Sequence, residues 1–326
     1  MISWLIDLIL SLLGIVLFIL VLGGVFVPLE SLSWWAGWGG RKQRDDLLNL
    51  EKLDDEKPAP DLSPTPEMDL YVLYLSGIGI ASSDGLAPDE LDFIRNLQTI
   101  TPGLEVITDV FPYSINNNPL TGERLLSPLW KKIREIQKKK MDSLISGTTI
   151  TMRNMLQVVV SADPRYGPIY SMGVADEIAR SLANHGYRLG SHKPIYLIGY
   201  SGGGQVSVGV ATYLTVMMDA PIHVISIGGV ISDDSGIKHV KKLTHNFGSK
   251  DPIQKLGEIM WTGRWPMMKN SDWNVVKGEG RITFHSMGPM AHMLKKSYFD
   301  DYAKFDDGKS YAMATAEAVK SAIVEP

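Results

Sequence analysis

The segment from Pro194 to Gln205, PIYLIGYSGGGQ, constrains this chain more than any other. An apolar β-favouring run stops at Gly199, Ser201 follows between small residues, and a helical pattern resumes at Gln205. A serine at the tip of so tight a strand-to-helix turn sits in a strained backbone conformation that only small neighbours tolerate. Gly199 and Gly203 supply that room, and the serine Oγ is left exposed. The helix that follows points its free N–H groups and positive dipole end at the turn, an arrangement suited to a developing anion. A glycine-rich turn of this kind can also bind a phosphate or simply pack closely. The Walker form of a phosphate loop needs a G-K-[ST] that is missing here, and a dinucleotide fingerprint fits poorly because the strand comes late in the chain.

Around this turn the chain alternates short apolar runs with helical stretches. Leu70 to Leu75 (LYVLYL), Leu104 to Val110, Ile195 to Ile198, Ile222 to Ile227, Lys242 to Phe247 and Arg281 to His285 read as strands. Pro88 to Gln98, Ile169 to Tyr187, Gln205 to Met217 and Tyr311 to Ile323 read as helices. The rhythm breaks over residues 113–160, where a turn cluster at Asn116 to Gly122 and a basic stretch at Lys131 to Lys140 suggest an insertion or cap. Alternation of this kind specifies an α/β domain with a mostly parallel central sheet covered by helices on both faces.

With its strand, turn and helix, the only G-x-S-x-G of the chain resembles the nucleophile elbow of the α/β-hydrolase family. The resemblance covers residues 69–325 and implies a serine hydrolase acting through an acyl-enzyme on Ser201. Family order is serine, then acid, then histidine, both partners lying on loops after later strands. That order removes His185 and His192, which precede Ser201, while His223, His239 and His245 fall in or near strands ahead of the expected acid. His292, in the loop Gly288-Pro289-Met290-Ala291-His292, is the expected base, with His285 the alternative. Asp251, in the loop that follows Lys242 to Phe247, is the expected acid; Asp233 and Asp234, after the preceding strand, are the alternatives. The oxyanion donors implied are the N–H of Gly202 and that of Ile78, in the loop Ser76-Gly77-Ile78-Gly79 after the first strand. Two departures stand out: Ser76-Gly77 replaces the His-Gly found in many relatives, and the family's usual first two antiparallel strands have no counterpart ahead of Leu70.

The remaining features bear on location and partners. Leu8 to Leu29, between Asp7 and Glu30, is a run of 22 uncharged residues, long enough as a helix to cross ~30 Å of hydrocarbon. With Trp34, Trp35 and Trp38 at its exit, it reads as a transmembrane anchor occupying residues 1–40. A cleaved signal peptide is the alternative, but no basic n-region or A-x-A-like site accompanies it. Arg41, Lys42 and Arg44 lie on the C-terminal side of the span, so the positive-inside rule places the large domain in the cytoplasm. Residues 41–68 form a charged and then proline-rich linker, with Pro58, Pro60, Pro64 and Pro66, ahead of the domain at 69–326. Around Trp130, apolar residues at 129, 133 and 136 share one helical stripe among lysines, which fits either a membrane-surface helix or an ordinary solvated one. Trp261, Trp265, Met260, Met267 and Met268 fall where a hydrolase would line an acyl pocket, and serve equally well as core.

A net charge of -4 argues against nucleic acid as the main partner. The absence of cysteine excludes disulfides, thiolate nucleophiles and cysteine-bound metals. No cofactor and no metal are expected. The function expected is therefore a membrane-anchored carboxylic ester hydrolase, lipase- or esterase-like, with the lipid bilayer and a small-molecule or lipid ester as its partners. An acyltransferase or thioesterase using the same three residues, and a non-catalytic hydrolase-fold binding module at the membrane, remain the alternatives.

Overall fold

The computed structural model describes residues 68, 70–115, 117 and 143–324, with residue 32 standing alone. The membrane anchor, the tryptophans after it, the linker and the basic stretch at 131–140 lie outside the described residues. Among the described residues no helix is long and apolar enough to cross a membrane.

Six strands form one sheet: β1 (Tyr71–Leu75), β2 (Val106–Ile107), β3 (Ile195–Tyr200), β4 (Ile222–Ile227), β5 (Val240–Phe247) and β6 (Ile282–Ser286). Their order across the sheet is β2-β1-β3-β4-β5-β6, and every adjacent pair is parallel. The helices are α1 (Pro88–Ile100), α2 (Ser143–Ser161), α3 (Gly167–Asn184), α4 (Gly202–Met218), α5 (Leu256–Met260), α6 (Asp272–Gly278) and α7 (Tyr311–Val324). The expected α/β architecture is therefore present over the described residues, with helices on both faces.

Burial follows the pleat. Tyr71, Leu73 and Leu75 of β1 face one side with Ile195 and Leu197 of β3, where they meet Tyr170, Val174 and Ile178 of α3 and Val206, Val210 and Leu214 of α4. Val72 and Tyr74 face the other side with Tyr196 and Ile198, against Phe93 and Leu97 of α1 and Val319 and Ile323 of α7. All five residues of β1 are buried because both faces are covered, which explains a strand apolar throughout rather than alternating. β2 is shorter than the run Leu104 to Val110 suggests; it is an edge strand, paired only with β1, and Pro112 lies just beyond it.

The break expected over 113–160 contains α2, which the sequence reading passed over. Ile150 and Val158 of α2 form a third apolar cluster with Ile80, Phe111 and Tyr113, so this helix covers the loop that leaves β1. That location matters, because β1 sends the chain outward to β2 on one side and β3 lies on its other side. Open α/β sheets bind their ligands at the carboxyl ends of two strands where the order reverses in this way. The loops leaving β1 and β3 carry Ile78 and Ser201.

Candidate active site

Ser201 caps the N-terminus of α4 with φ 52° and ψ -118°, a left-handed backbone rarely adopted by side chains other than glycine. The turn is held in that form by near contact on all sides. A Cβ added to Gly199 would lie 2.6 Å from the Gly203 carbonyl oxygen, and one added to Gly203 would lie 2.2 Å from the Leu75 oxygen. Neither position admits a side chain, and the strain at Ser201 is enforced by β1, β3 and α4 together. The Ser201 N–H donates to the Ile227 oxygen at 3.1 Å, tying the bend to the end of β4.

The loops after β5 and β6 are laced together. Ser249 N–H donates to the Gly288 oxygen at 2.7 Å, Lys250 N–H to the Met290 oxygen at 3.2 Å, and Met287 N–H to the Phe247 oxygen at 2.8 Å. This lacing brings Asp251 and His292 side by side, although 41 residues separate them. His292 Nδ1 lies 2.8 Å from Asp251 Oδ2, and His292 Nε2 lies 2.8 Å from Ser201 Oγ. An ionised carboxylate only accepts, so Nδ1 carries the proton and Nε2 is left to accept from the serine hydroxyl. All three side chains are buried: Asp251 is 0%, His292 4% and Ser201 6% exposed.

The carboxylate of Asp251 is saturated with donors. Oδ2 also accepts from the Tyr298 hydroxyl at 2.7 Å, while Oδ1 accepts from the N–H groups of Ile253 at 2.9 Å and Gln254 at 3.3 Å. Burial alone would push the Asp251 carboxyl up; the hydrogen bond and charge of His292, the Tyr298 hydroxyl and the Gln254 N–H outweigh it and hold the group below its ordinary value. Burial and the neighbouring Asp251 charge push the Tyr298 phenol up, so it stays a protonated donor. His292 is fixed from its other side by Tyr200, whose ring stacks on the imidazole at 5.5 Å between centroids and whose hydroxyl donates to the His292 carbonyl at 2.6 Å.

The loop after β1 lies against this arrangement. A Cβ on Gly202 would fall 2.8 Å from Ile78 Cγ2, and one on Gly77 would fall 3.6 Å from Ser201 Cβ. The Gly202 N–H, at the first position of α4, has no acceptor within its helix, and neither it nor the Ile78 N–H donates to another described residue. The carbonyls of Ser76, Ile78 and Ile80 in that loop are engaged. Asn154 of α2 donates from Nδ2 to the oxygens of Ile78 at 2.9 Å and Ile80 at 2.6 Å, and Tyr113 Oη donates to the Ser76 oxygen at 2.7 Å. Glu90 of α1, buried and pushed up by that burial, accepts from Ser76 Oγ at 2.8 Å and from the Gly77 N–H at 3.5 Å.

The alternatives weighed from the sequence lie elsewhere. His285 sits on β6 and pairs through Nδ1 with Asn246 Oδ1 at 3.0 Å. Asp233 Oδ2 accepts from the Gly263 N–H at 2.8 Å, and Asp234 accepts from the Gly236 N–H at 2.8 Å and from Gln205 Nε2 at 3.2 Å. Both acids brace the loop after β4, and among the described residues neither meets a histidine. Sequence reasoning passed over Tyr298, Asn154 and Glu90; only Tyr200, inside the G-x-S-x-G itself, carried a signal. Among the described residues no group of three or more His, Cys, Asp or Glu side chains is placed to hold a metal ion. Known family models and curated proteins contain no match to this chain.

Proposed function

We propose that this chain is a serine hydrolase of the α/β-hydrolase type that cleaves carboxylic esters. Ser201 Oγ attacks the ester carbonyl carbon while His292 Nε2 takes the hydroxyl proton, and Asp251 holds the imidazole by Nδ1 and stabilises the imidazolium. The carbonyl oxygen becomes an oxyanion, met by the N–H groups of Gly202 and Ile78. Collapse of this intermediate breaks the bond to the alcohol, which leaves with the proton from His292. Water then attacks the acyl-enzyme, giving its proton to the same nitrogen, and the free acid departs as Ser201 is restored.

The observation that carries this reading is the unbroken chain from Ser201 Oγ through His292 to Asp251, 2.8 Å at each step, beginning on a serine at φ 52° between β3 and α4. A serine that merely packed in the core would have no reason to hold a strained backbone facing an imidazole so oriented. The all-parallel sheet of the described residues, in the order β2-β1-β3-β4-β5-β6, also suits a hydrolase fold. The anchoring of residues 1–40 in a bilayer, with the domain on the cytoplasmic side, belongs to the same proposal and rests on the 22-residue uncharged run.

A fluorophosphonate probe tests the chemistry. The folded wild-type chain is expected to label and Ser201→Ala to remain unlabelled; a folded wild type that does not label refutes the enzyme and leaves the binding module. Resistance to alkaline carbonate extraction tests the anchor, and release of the chain from membranes removes it.

A further inference from the structure

Two segments of the domain, one after β5 and one after β6, expose apolar side chains. Between β5 and α6, Ile259, Met260, Trp265, Met267 and Met268 are all more than one third exposed, Met267 reaching 75%. In the loop after His292, Met293 and Leu294 stand out to solvent, Leu294 at 86%. Both segments begin at the carboxyl ends of their strands, the end of the sheet that carries Ser201, and the first then turns down onto α6, where Asn274 Nδ2 donates to the Trp265 and Met268 oxygens and Pro266 and Lys269 meet Lys277 and Gly278. The first also abuts the loop after β4: Arg264 Nη1 donates to the Ile231 oxygen at 2.7 Å, and the neighbouring Val230 N–H donates to the Ser201 oxygen at 3.1 Å.

Leu294 is exposed by construction. Leu294 and Lys296 have φ of 63° and 64°, a conformation costing about 1–3 kcal/mol for each such residue. The loop is closed by Ala291 N–H to the Lys296 oxygen at 2.8 Å and by Lys296 N–H to Asp300 Oδ2 at 2.6 Å. A loop free to relax would fold its leucine inward; this one is stapled with its leucine outward.

The charges beside these side chains bear on the occupant. Lys250 and Lys255 accompany the first segment and Lys295 and Lys296 the second, all exposed; the exposed acids are Glu258, 3.6 Å from Arg264, and, farther along the second loop, Asp301, Asp306 and Asp307. Apolar residues with Trp and Met, with lysines beside them, match a surface of acyl chains beneath anionic headgroups. A tether from the uncharged run Leu8 to Leu29 would hold the domain at such a surface at high effective concentration.

We infer that these two segments form a docking face for an anionic lipid bilayer, seating the mouth of the Ser201 site on the membrane so that its ester is drawn from the lipid itself. The statement about the ester rests on the hydrolase reading; the docking does not. Because the chain contains no cysteine, single thiols can report on it. The full-length chain carrying Ile259→Cys, Leu294→Cys or, at the opposite end of the sheet, Leu189→Cys is labelled with a fluorophore and reconstituted in equimolar phosphatidylcholine–phosphatidylglycerol vesicles. Doxyl-labelled lipid should quench the probes at 259 and 294 several-fold more than the one at 189, and phosphatidylcholine alone should weaken that difference. Equal quenching at all three sites, no quenching at 259 and 294, or lipid-independent energy transfer between the 259 or 294 probes of two copies would each overturn the docking.

The origin of the ester is tested by the double variant Ile259→Ser, Leu294→Ser. It should hydrolyse a vesicle-embedded ester about tenfold more slowly or worse, as expected for losing two buried apolar side chains, while turning over a water-soluble ester normally. Equal loss on both substrates overturns the membrane source. Fluorophosphonate labelling of Ser201 in the same samples, without vesicles, separates failure of the docking from failure of the hydrolase.

Discussion

Replacing Asp251 by asparagine changes one atom of the site and tests how the whole of it is oriented. The side chain has two ends that differ in what they can yield. Oδ1 faces the backbone N–H groups of Ile253 and Gln254, which cannot turn, so the asparagine must keep its oxygen there. Its NH2 then occupies the place of Oδ2, facing His292 Nδ1 at 2.8 Å and Tyr298 Oη at 2.7 Å. Two donors cannot share a proton, so the imidazole takes its other tautomer, accepting at Nδ1 and carrying its hydrogen on Nε2. In that state the nitrogen 2.8 Å from Ser201 Oγ can no longer accept the serine proton. The wrong tautomer and the lost carboxylate charge together are worth about 10⁴ in turnover, about 5 kcal/mol of barrier. Folding should suffer far less, since the lost Tyr298 bond costs about 1–2 kcal/mol. Turnover of a water-soluble ester, measured beside a thermal melt, separates the two effects. Activity of Asp251→Asn within tenfold of wild type, with the fold intact, would refute the assignment of Asp251 as the orienting acid.

Three other perturbations follow from the geometry. Asn154→Ala removes both donors to the Ile78 and Ile80 carbonyls, which should slow fluorophosphonate labelling of Ser201 at least about tenfold by releasing one oxyanion donor; an unchanged labelling rate in folded protein contradicts the role given to that loop. Gly203→Ala sets a Cβ 2.2 Å from a backbone oxygen that cannot step aside, so at least about 1–3 kcal/mol should be lost and the melt should fall by about 2–4 °C for each kcal/mol. An unaltered Tm would show that the elbow is looser than drawn. His245, buried between Ser226 Oγ and Gln254 Oε1, has its pKa lowered to about 4 by that burial. The unfolded chain binds this proton below about 6.5 and the folded chain does not, so stability should drop by about 2 kcal/mol between pH 7 and pH 5. Denaturant unfolding of His245→Gln should show that part of the pH dependence gone, and its persistence would place the effect elsewhere.

Much of the fold could be read along the chain because the sheet is parallel and covered on both sides. Ile222 to Ile227 lies in the structure where its apolar run begins and ends, and β1 and β3 differ from their runs by one or two residues. Elsewhere the reading fails. β2 keeps two residues of an apolar stretch, although β6, likewise paired on one edge alone, keeps five. The helix α2, SLISGTTITMRNMLQVVVS, is rich in β-branched residues and contains a glycine, so its local preferences point away from a helix. Packing of Ile150 and Val158 over the loop after β1 favours the helix, and such a contact leaves no periodic mark strong enough to read in advance.

The site divides along the same line. Ser201 announces itself because the constraint on it is local: glycines within two residues, with strand before and helix after. Asp251 and His292 could be narrowed by chain order, yet what separates His292 from His285 is the loop 287–291, whose path is decided by contacts with the loop after β5. Tyr298 and Asn154 bear no local signature at all. Asn154 stands 76 residues from the Ile78 carbonyl it holds, on the helix α2. Helix α2 therefore does more than cover: the buried Asn154 amide fixes the Ile78 and Ile80 carbonyls on either side of Gly79 in the β1 loop, so any movement of α2 must also move the Ile78 N–H proposed as the second oxyanion donor.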